Sequence, residues 1–381
     1  MPVLWEVGAS LIEADANKQR STPGSEWTGP TSLDTASRAV KDYVKTLDDA
    51  AFGAASGVIP KFISPSDPAS QWTGAHKGPA FFAYSNNTLI DNKFSVIVDV
   101  EASRAIRQAE VGTAKTMIER TEACFDMKPK SLAADTAYGA APMLAWLIKE
   151  KGITPHIPVF DKSSRKDGTL SRADFTFDAE QNIYLCPQGK PLTTTGHLNQ
   201  GRTLYYRASK FDCEACPLKQ KCCPKAPSRR LPRDIDEDAR DLARSLVGTP
   251  EFEQSRRERK KVEMIFAHLK GIFRLGRLRL RGPRGAQDEF LLAATAQNLK
   301  KLAKYMKQPP SLAMANALRQ DQDNDRMKQE QWAKADKRTK DSSTWSKAKL
   351  SCNDPSVILI ILSLKTDFCN SICKKLPFAV S

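Results

Sequence analysis

The sequence lacks anything that would hold it in a bilayer. Its most apolar run, Val357–Leu364, falls far short of the ~20 residues needed to span a hydrocarbon core. The opening MPVLWEVGAS has no basic stretch ahead of a long apolar one, so it does not read as a secretion signal. There is no internal repeat. Histidine is scarce, with four residues in 381. His156 reads as strand core, His268 sits five residues past Glu263, and His76 and His197 fall in loops, so none is given a role. Acidic residues are in deficit, 44 against 59 Lys and Arg, a net charge of +15 and a pI near 9.4. Such a balance calls for a polyanionic partner, nucleic acid or an anionic surface. At 40% hydrophobic residues, wholesale disorder is excluded. A cytoplasmic, nucleoid-associated protein with no membrane contact is expected.

The charge is localised. Residues 201–310 hold 26 Lys and Arg against 13 Asp and Glu, which accounts for +13 of the +15. A concentrated basic region is a better nucleic-acid footprint than a uniform excess, although a basic run without a motif is as easily a solvated surface.

Periodicity predicts a strand over 3–12 and a short helix over 35–48. An ordered loop follows over 50–90, then strands over 93–99 and 105–111 and a helix over 113–125. A short strand, 131–134, runs into Asp135, followed by a helix over 139–151 and a strand over 153–159. This is an α/β layout with a mixed sheet flanked by helices. Residues 160–248 break the pattern: polar, with most of the clustered cysteines, they read as an insertion. A long helix over 249–272, a basic segment and a helix over 288–306 complete the part 249–308, with 1–159 as the first half of the same domain. After Pro309-Pro310 the composition turns charged and polar, and 309–381 reads as a tail.

Asp135, in LAADTAYG, stands at the carboxyl end of a short strand, where open α/β sheets bind ligands. It can hold a metal there, or cap the next helix. In RRERKKVEMIFAHLKG, Arg259 and Glu263 are four apart and Lys270 seven beyond, so a carboxylate is flanked by two cations on one helical stripe. An ordinary i,i+4 ion pair is the plainer reading of that spacing.

Among the nine cysteines, FDCEACPLKQKCCP gives a C-x2-C pair, Cys213 and Cys216, which closes half a tetrahedral site. Cys186 and Cys222 (or Cys223) complete a four-cysteine structural zinc site; the alternative is a set of buried thiols. The alternating Arg/Leu run RLGRLRLRGPRG carries Arg274, Arg277, Arg279, Arg281 and Arg284, which suits a strand or extended arm with one face on DNA phosphates.

Taken together, these motifs resemble the bacterial insertion-sequence transposases with an RNase H-like DDE domain, the group with a Y-x2-R-x3-E-x6-K helix. The resemblance runs over about residues 3–308 and includes VIVDVEA, TMIERTE, LAADTAYG, YRASKFDCEACPLKQKCCP, RRERKKVEMIFAHLKG and RLRLRGP. It implies DNA cleavage and strand transfer at inverted-repeat ends, by a homodimer on double-stranded DNA. Three carboxylates would hold two divalent ions, magnesium or manganese. By resemblance Asp135 is the second ligand and Glu263 the third, with Arg259 and Lys270 near the cut phosphate.

The pattern departs at two places. Arg256 stands where the helix motif has Tyr. More seriously, the family's first strand reads V-D-[GA]-[ST], and here it reads Val7-Gly8-Ala9-Ser10, so Gly8 occupies the position of the first Asp. Glu13 and Asp15 lie five and seven residues on, roughly 16–24 Å along a strand at ~3.3 Å per residue, too far to substitute. A catalytically impaired copy is expected, and the early first strand suggests one shortened at its N-terminus. The alternative is a non-catalytic DNA-binding remnant that inhibits an intact transposase or does nothing.

Overall fold

The computed structural model describes residues 4–29, 34–45, 60–74, 78–161 and 167–306. In chain order the first part holds strand β1 (Leu4–Glu13), a short β2 (Thr22–Pro23), helix α1 (Arg38–Lys45), β3 (Phe62–Ile63), β4 (Gln71–Gly74), β5 (Ala80–Asp91) and β6 (Val96–Arg104). Helix α2 (Arg107–Phe125), β7 (Ser131–Ala133), α3 (Ala141–Ala145), a π-helical turn (Trp146–Glu150) and β8 (Thr154–His156) follow. The chain divides into compact units 1–291 and 292–381. The expected tail, 309–381, lies outside the described residues.

β1 is the centre of the main sheet. β5 runs antiparallel along one side of it, and β7 runs parallel along the other, with β8 parallel beyond β7. β4 and β6 both pair antiparallel with β5. Side chains alternate across the sheet, and β1 obeys this cleanly. Trp5 and Val7 enter a core with Met117 and Ile118 of α2, Leu132 of β7, and Leu144 of α3. Glu6 and Gly8 face the other way.

Two expectations are corrected. The loop expected over 50–90 contains the longest strand of the sheet, β5. Its middle, Ser85-Asn86-Asn87-Thr88, reads as a loop because it is polar, yet all four residues are buried. Asn87 Nδ2 donates to the carbonyls of Ser85 and Glu101 and to Ser103 Oγ at 2.9–3.2 Å, which makes its amide group tolerable inside. The strand expected over 105–111 is the start of α2. Ala109, Thr113, Ala114, Met117, Ile118 and Thr121 are buried at helical spacing. The β-branched residues that suggest a strand are Ile106, the last extended residue ahead of α2, and Val111, which packs from α2 against the core.

Residues 160–248 carry a second sheet: β9 (Thr176–Asp178), β10 (Ile183–Leu185), β11 (Pro191–Thr194), β12 (Thr203–Ala208), short helices α4 (Lys210–Glu214) and α5 (Lys219–Cys222), and β13 (Arg230–Asp234). Each strand pairs antiparallel with the next. Helix α6 (Glu237–Leu246) returns to the first core through Ala239 and Ala243. α7 (Pro250–Gly271) and α8 (Gly282–Met306) end the described chain.

A buried ionic knot ties the insertion down. Glu237 is 1% exposed and lies within 2.8 Å of Arg172 and Arg244 and 3.1 Å of Arg240. Asp161 bridges Arg172 and Arg244 at 2.7 and 2.8 Å. Burial opposes ionisation of Glu237, but the three arginines outweigh it and hold its carboxyl below the usual range. Its contribution to stability is therefore present above the unfolded-state value and is lost as pH falls through the folded one. Glu237→Ala strands three guanidinium groups and is expected to cost about 3–5 kcal/mol, read as a lower urea midpoint at pH 7. An unchanged midpoint would mean the knot carries no stability.

Candidate active site

The site is built where α7 crosses the sheet. α7 is started by Thr249, whose hydroxyl accepts from the Phe252 N–H at 3.3 Å, with Pro250 in its first turn. Phe252, Ser255, Val262, Ile265 and Leu269 are buried at helical spacing, and the helix lies against β1, β7 and β8. Arg259, Glu263 and Phe266 follow one another three or four residues apart, and this stripe meets the Glu6/Gly8 face of β1. Arg259 Nε is 3.3 Å from Glu6 Oε1. An ideal Cβ on Gly8 would sit 3.2 Å from Cε2 of Phe266.

The parallel pairing of β1 with β7 aligns Leu4 with Ser131, Trp5 with Leu132 and Glu6 with Ala133. Gly8 follows Glu6 by two residues on β1, and Asp135 follows Ala133 by two, past the end of β7. Asp135 is exposed and caps the short turn after β7, accepting from the Ala137 N–H at 2.7 Å. Its charge reaches Glu110 on α2. Burial first, and then the Asp135 charge, raise the Glu110 carboxyl, against the pull of Ser85 Oγ, which donates to it at 2.6 Å. Glu263 is exposed. Lys270, one face-repeat on, is exposed as a residue, while desolvation of its ammonium lowers its pKa.

Glu6 is the site residue that the motifs do not reveal. It is 3% exposed and accepts from Asn92 Nδ2 at 3.3 Å as well as from Arg259. Burial pushes its carboxyl up to about 7, Arg259 and Asn92 pull down, and the charge of Glu263 adds to the rise. The signal was an acid inside the apolar run LWEV, two residues before Gly8. Arg259, expected near phosphate, is engaged by this acid.

Residues 185–303 match the family model described as a transposase DDE domain. Over that stretch, about a third of its length, the chain is similar to a transposase DDE domain. The match takes in Arg259, Glu263, Lys270, the arginine run and the clustered cysteines, and it begins after Gly8 and Asp135. No curated protein and no solved structure matches the chain. No helix among the described residues is long and apolar enough to cross a membrane.

The arginine run is not a strand, one of the two forms its alternation suggests. Only Arg277 makes a bridge, parallel to Glu13 of β1, and the Glu13 N–H donates to the Gly276 carbonyl at 3.2 Å while Leu278 N–H donates back at 2.7 Å. Buried Leu275 and Leu278 anchor the run, and Arg284 lies on α8, which starts six residues earlier than expected. Arg277 and Arg281 pair with Asp15 at 3.2 and 3.0 Å. Arg274, Arg279 and Arg284 are exposed.

The zinc set Cys186, Cys213, Cys216 and Cys222 does not assemble as a ligand group. Among the described residues no three or more His, Cys, Asp or Glu side chains are disposed to hold a metal. The cysteines instead pack. Cys213, Cys222 and Cys223 are buried in the core of the insertion with Tyr184, Leu192 and Tyr206, and Cys223 bonds to both of the other two thiols. Burial raises the Cys213 thiol and pushes Cys222 up to about 11.

The raised acid gives a pH signature. A folded carboxyl near 7 binds a proton that the unfolded chain releases near 4.5, so Glu6 makes the fold less stable as pH rises between those values. Glu6→Gln is expected to flatten the fall in urea midpoint from pH 5 to pH 7.5. A slope unchanged by the substitution would show that Glu6 does not titrate there.

Proposed function

We propose that the chain is the DNA-cutting and joining core of an insertion-sequence transposase, acting on double-stranded inverted-repeat ends as a dimer in the nucleoid, in a copy whose cutting site has lost one carboxylate. The observation that carries the reading is the seating of the helix bearing Glu263 on the Gly8 face of β1, with β7, the strand that leads to Asp135, paired parallel to β1. The strand sequence β6-β5-β1-β7-β8, three antiparallel strands followed by two parallel ones, supports an RNase H-like framework. In it β1, the end of β7 and the later helix each present one acidic position.

Phosphodiester cleavage and joining are in-line displacements at phosphorus, and two divalent ions can stabilise the attacking and leaving oxygens. The donor set here does not fit such a pair. Asp135 and Glu263 supply two carboxylates, Gly8 supplies a hydrogen, and Glu6, on the same face of β1, is turned to Arg259 and Asn92. Phe266 has its ring where a side chain at position 8 would begin. The basic groups remain. Arg274, Arg279, Arg284 and Lys270 are exposed near the β1 edge or on α7 and α8, and they suit sequence-independent phosphate contact. DNA binding without efficient cutting follows.

Cleavage of the element's end DNA, with magnesium or manganese, tests this. The unmodified chain is expected to cut at least a hundredfold more slowly than Gly8→Asp/Phe266→Leu, with Gly8→Asp alone between them because the ring must move. That corresponds to about 3 kcal/mol of barrier. Adding Glu263→Gln to the fastest variant should abolish its cutting. Robust cutting by the unmodified chain would overturn the reading.

A further inference from the structure

A second feature lies at the far end of β1. A cavity of about 750 Å³ opens between Asp15, Trp27, the start of α1 at Arg38, and Arg279 and Arg281 of the arginine run. Its volume is in the range of sites that take a small organic ligand, roughly 300–1,000 Å³. One carboxylate faces it, and that one is already neutralised: Asp15 is bound by Arg281 at 3.0 Å and by Arg277 at 3.2 Å. Arg38 and Arg279 are exposed, and neither has an acidic partner among the described residues. The cavity therefore offers two available guanidinium groups beside the half-buried indole of Trp27.

We infer that this cavity binds one unpaired nucleotide of a DNA strand, its phosphate on Arg38 and Arg279 and its base against Trp27. Guanidinium forks match phosphate oxygens, and an indole face accepts any base by stacking. A paired duplex satisfies only half of this. It presents phosphates on a convex rim and keeps its bases stacked inside, so it offers Trp27 nothing and leaves the cavity unfilled. The placement fits the proposed function, on which the inference rests. The arginine run is pinned to the end of β1 by the Glu13 and Leu278 backbone bonds. Seven residues of extended chain separate Gly8 from Asp15, about 23 Å at ~3.3 Å per residue. At ~3.4 Å per nucleotide, a strand crossing the Gly8–Asp135 site reaches the cavity about seven nucleotides away.

The test is fluorescence anisotropy of the full chain with a labelled 12-nucleotide single strand and with the duplex of the same sequence, in EDTA so that no cutting intervenes. Arg38→Ala and Trp27→Ala are each expected to weaken single-strand binding about tenfold, the scale of one lost base stack, while duplex binding stays within twofold. Trp27→Phe, which keeps an aromatic face, should bind like the unmodified chain. Equal losses on both DNAs would overturn the inference in favour of a plain backbone contact. So would an unchanged single-strand affinity, or a Trp27→Phe variant as weak as Trp27→Ala. These outcomes are separate from the fate of the transposase reading, which fails instead if the unmodified chain binds neither DNA.

Discussion

β1 is clamped on three sides. β5 holds one edge along nine consecutive paired positions, Trp5 with Asp91 through Glu13 with Ala83. β7 holds the start of the other edge in parallel register. α7 closes the face that bears Glu6 and Gly8. A one-residue slip of this strand would turn Trp5 and Val7 out of the core and Glu6 into it, so its register is strongly specified. The position of every group in the candidate site is a consequence. Glu6 is level with Ala133 because of β7, and Gly8 meets Phe266 because of α7. The arginine run lies along the end of the strand because Glu13 bonds to it.

On the proposed reading, one carboxylate has been lost at position 8, and its surroundings fit a glycine there. A carboxylate at position 8 would need room and cations; the chain supplies a glycine with an aromatic ring over it. The nearby charge is balanced locally instead. Glu6 takes Arg259, and its own carboxyl is raised to about 7 by burial. The exposed charges around it are the carboxylates of Asp135 and Glu263 and the basic groups of α7, α8 and the arginine run. Sequence-independent DNA contact survives such a change more readily than chemistry does, because it depends on many weak phosphate contacts and not on one ligand set.

The sequence carried much of this, unevenly. β1, β7 and α7 were legible because apolar periodicity, strand-end position and helix-start residues agreed. β5 was not, because a strand buried on both faces with Ser-Asn-Asn-Thr at its middle contradicts any rule that polar means exposed; the Asn87 amide nitrogen finds its partners on β5 itself and on β6. The start of α2 was hidden by the β-branched Ile106 and Val111. Spacing suggested a zinc site, but C-x2-C records only sequence distance, and the fold turns Cys213, Cys222 and Cys223 into each other and into an aromatic core. Glu6 was missed because no motif includes it; its role comes from Arg259, 253 residues away.

The central claim is that a missing carboxylate at position 8 leaves the site short of metal ligands. It is tested most directly by calorimetric titration of manganese into the full chain and into Gly8→Asp/Phe266→Leu, without DNA. The account predicts little or no saturable binding to the unmodified chain and clear, stoichiometric binding to the variant, lost again when Asp135→Asn is added. Two-ion binding by the unmodified chain, as tight as that of the variant, would contradict it.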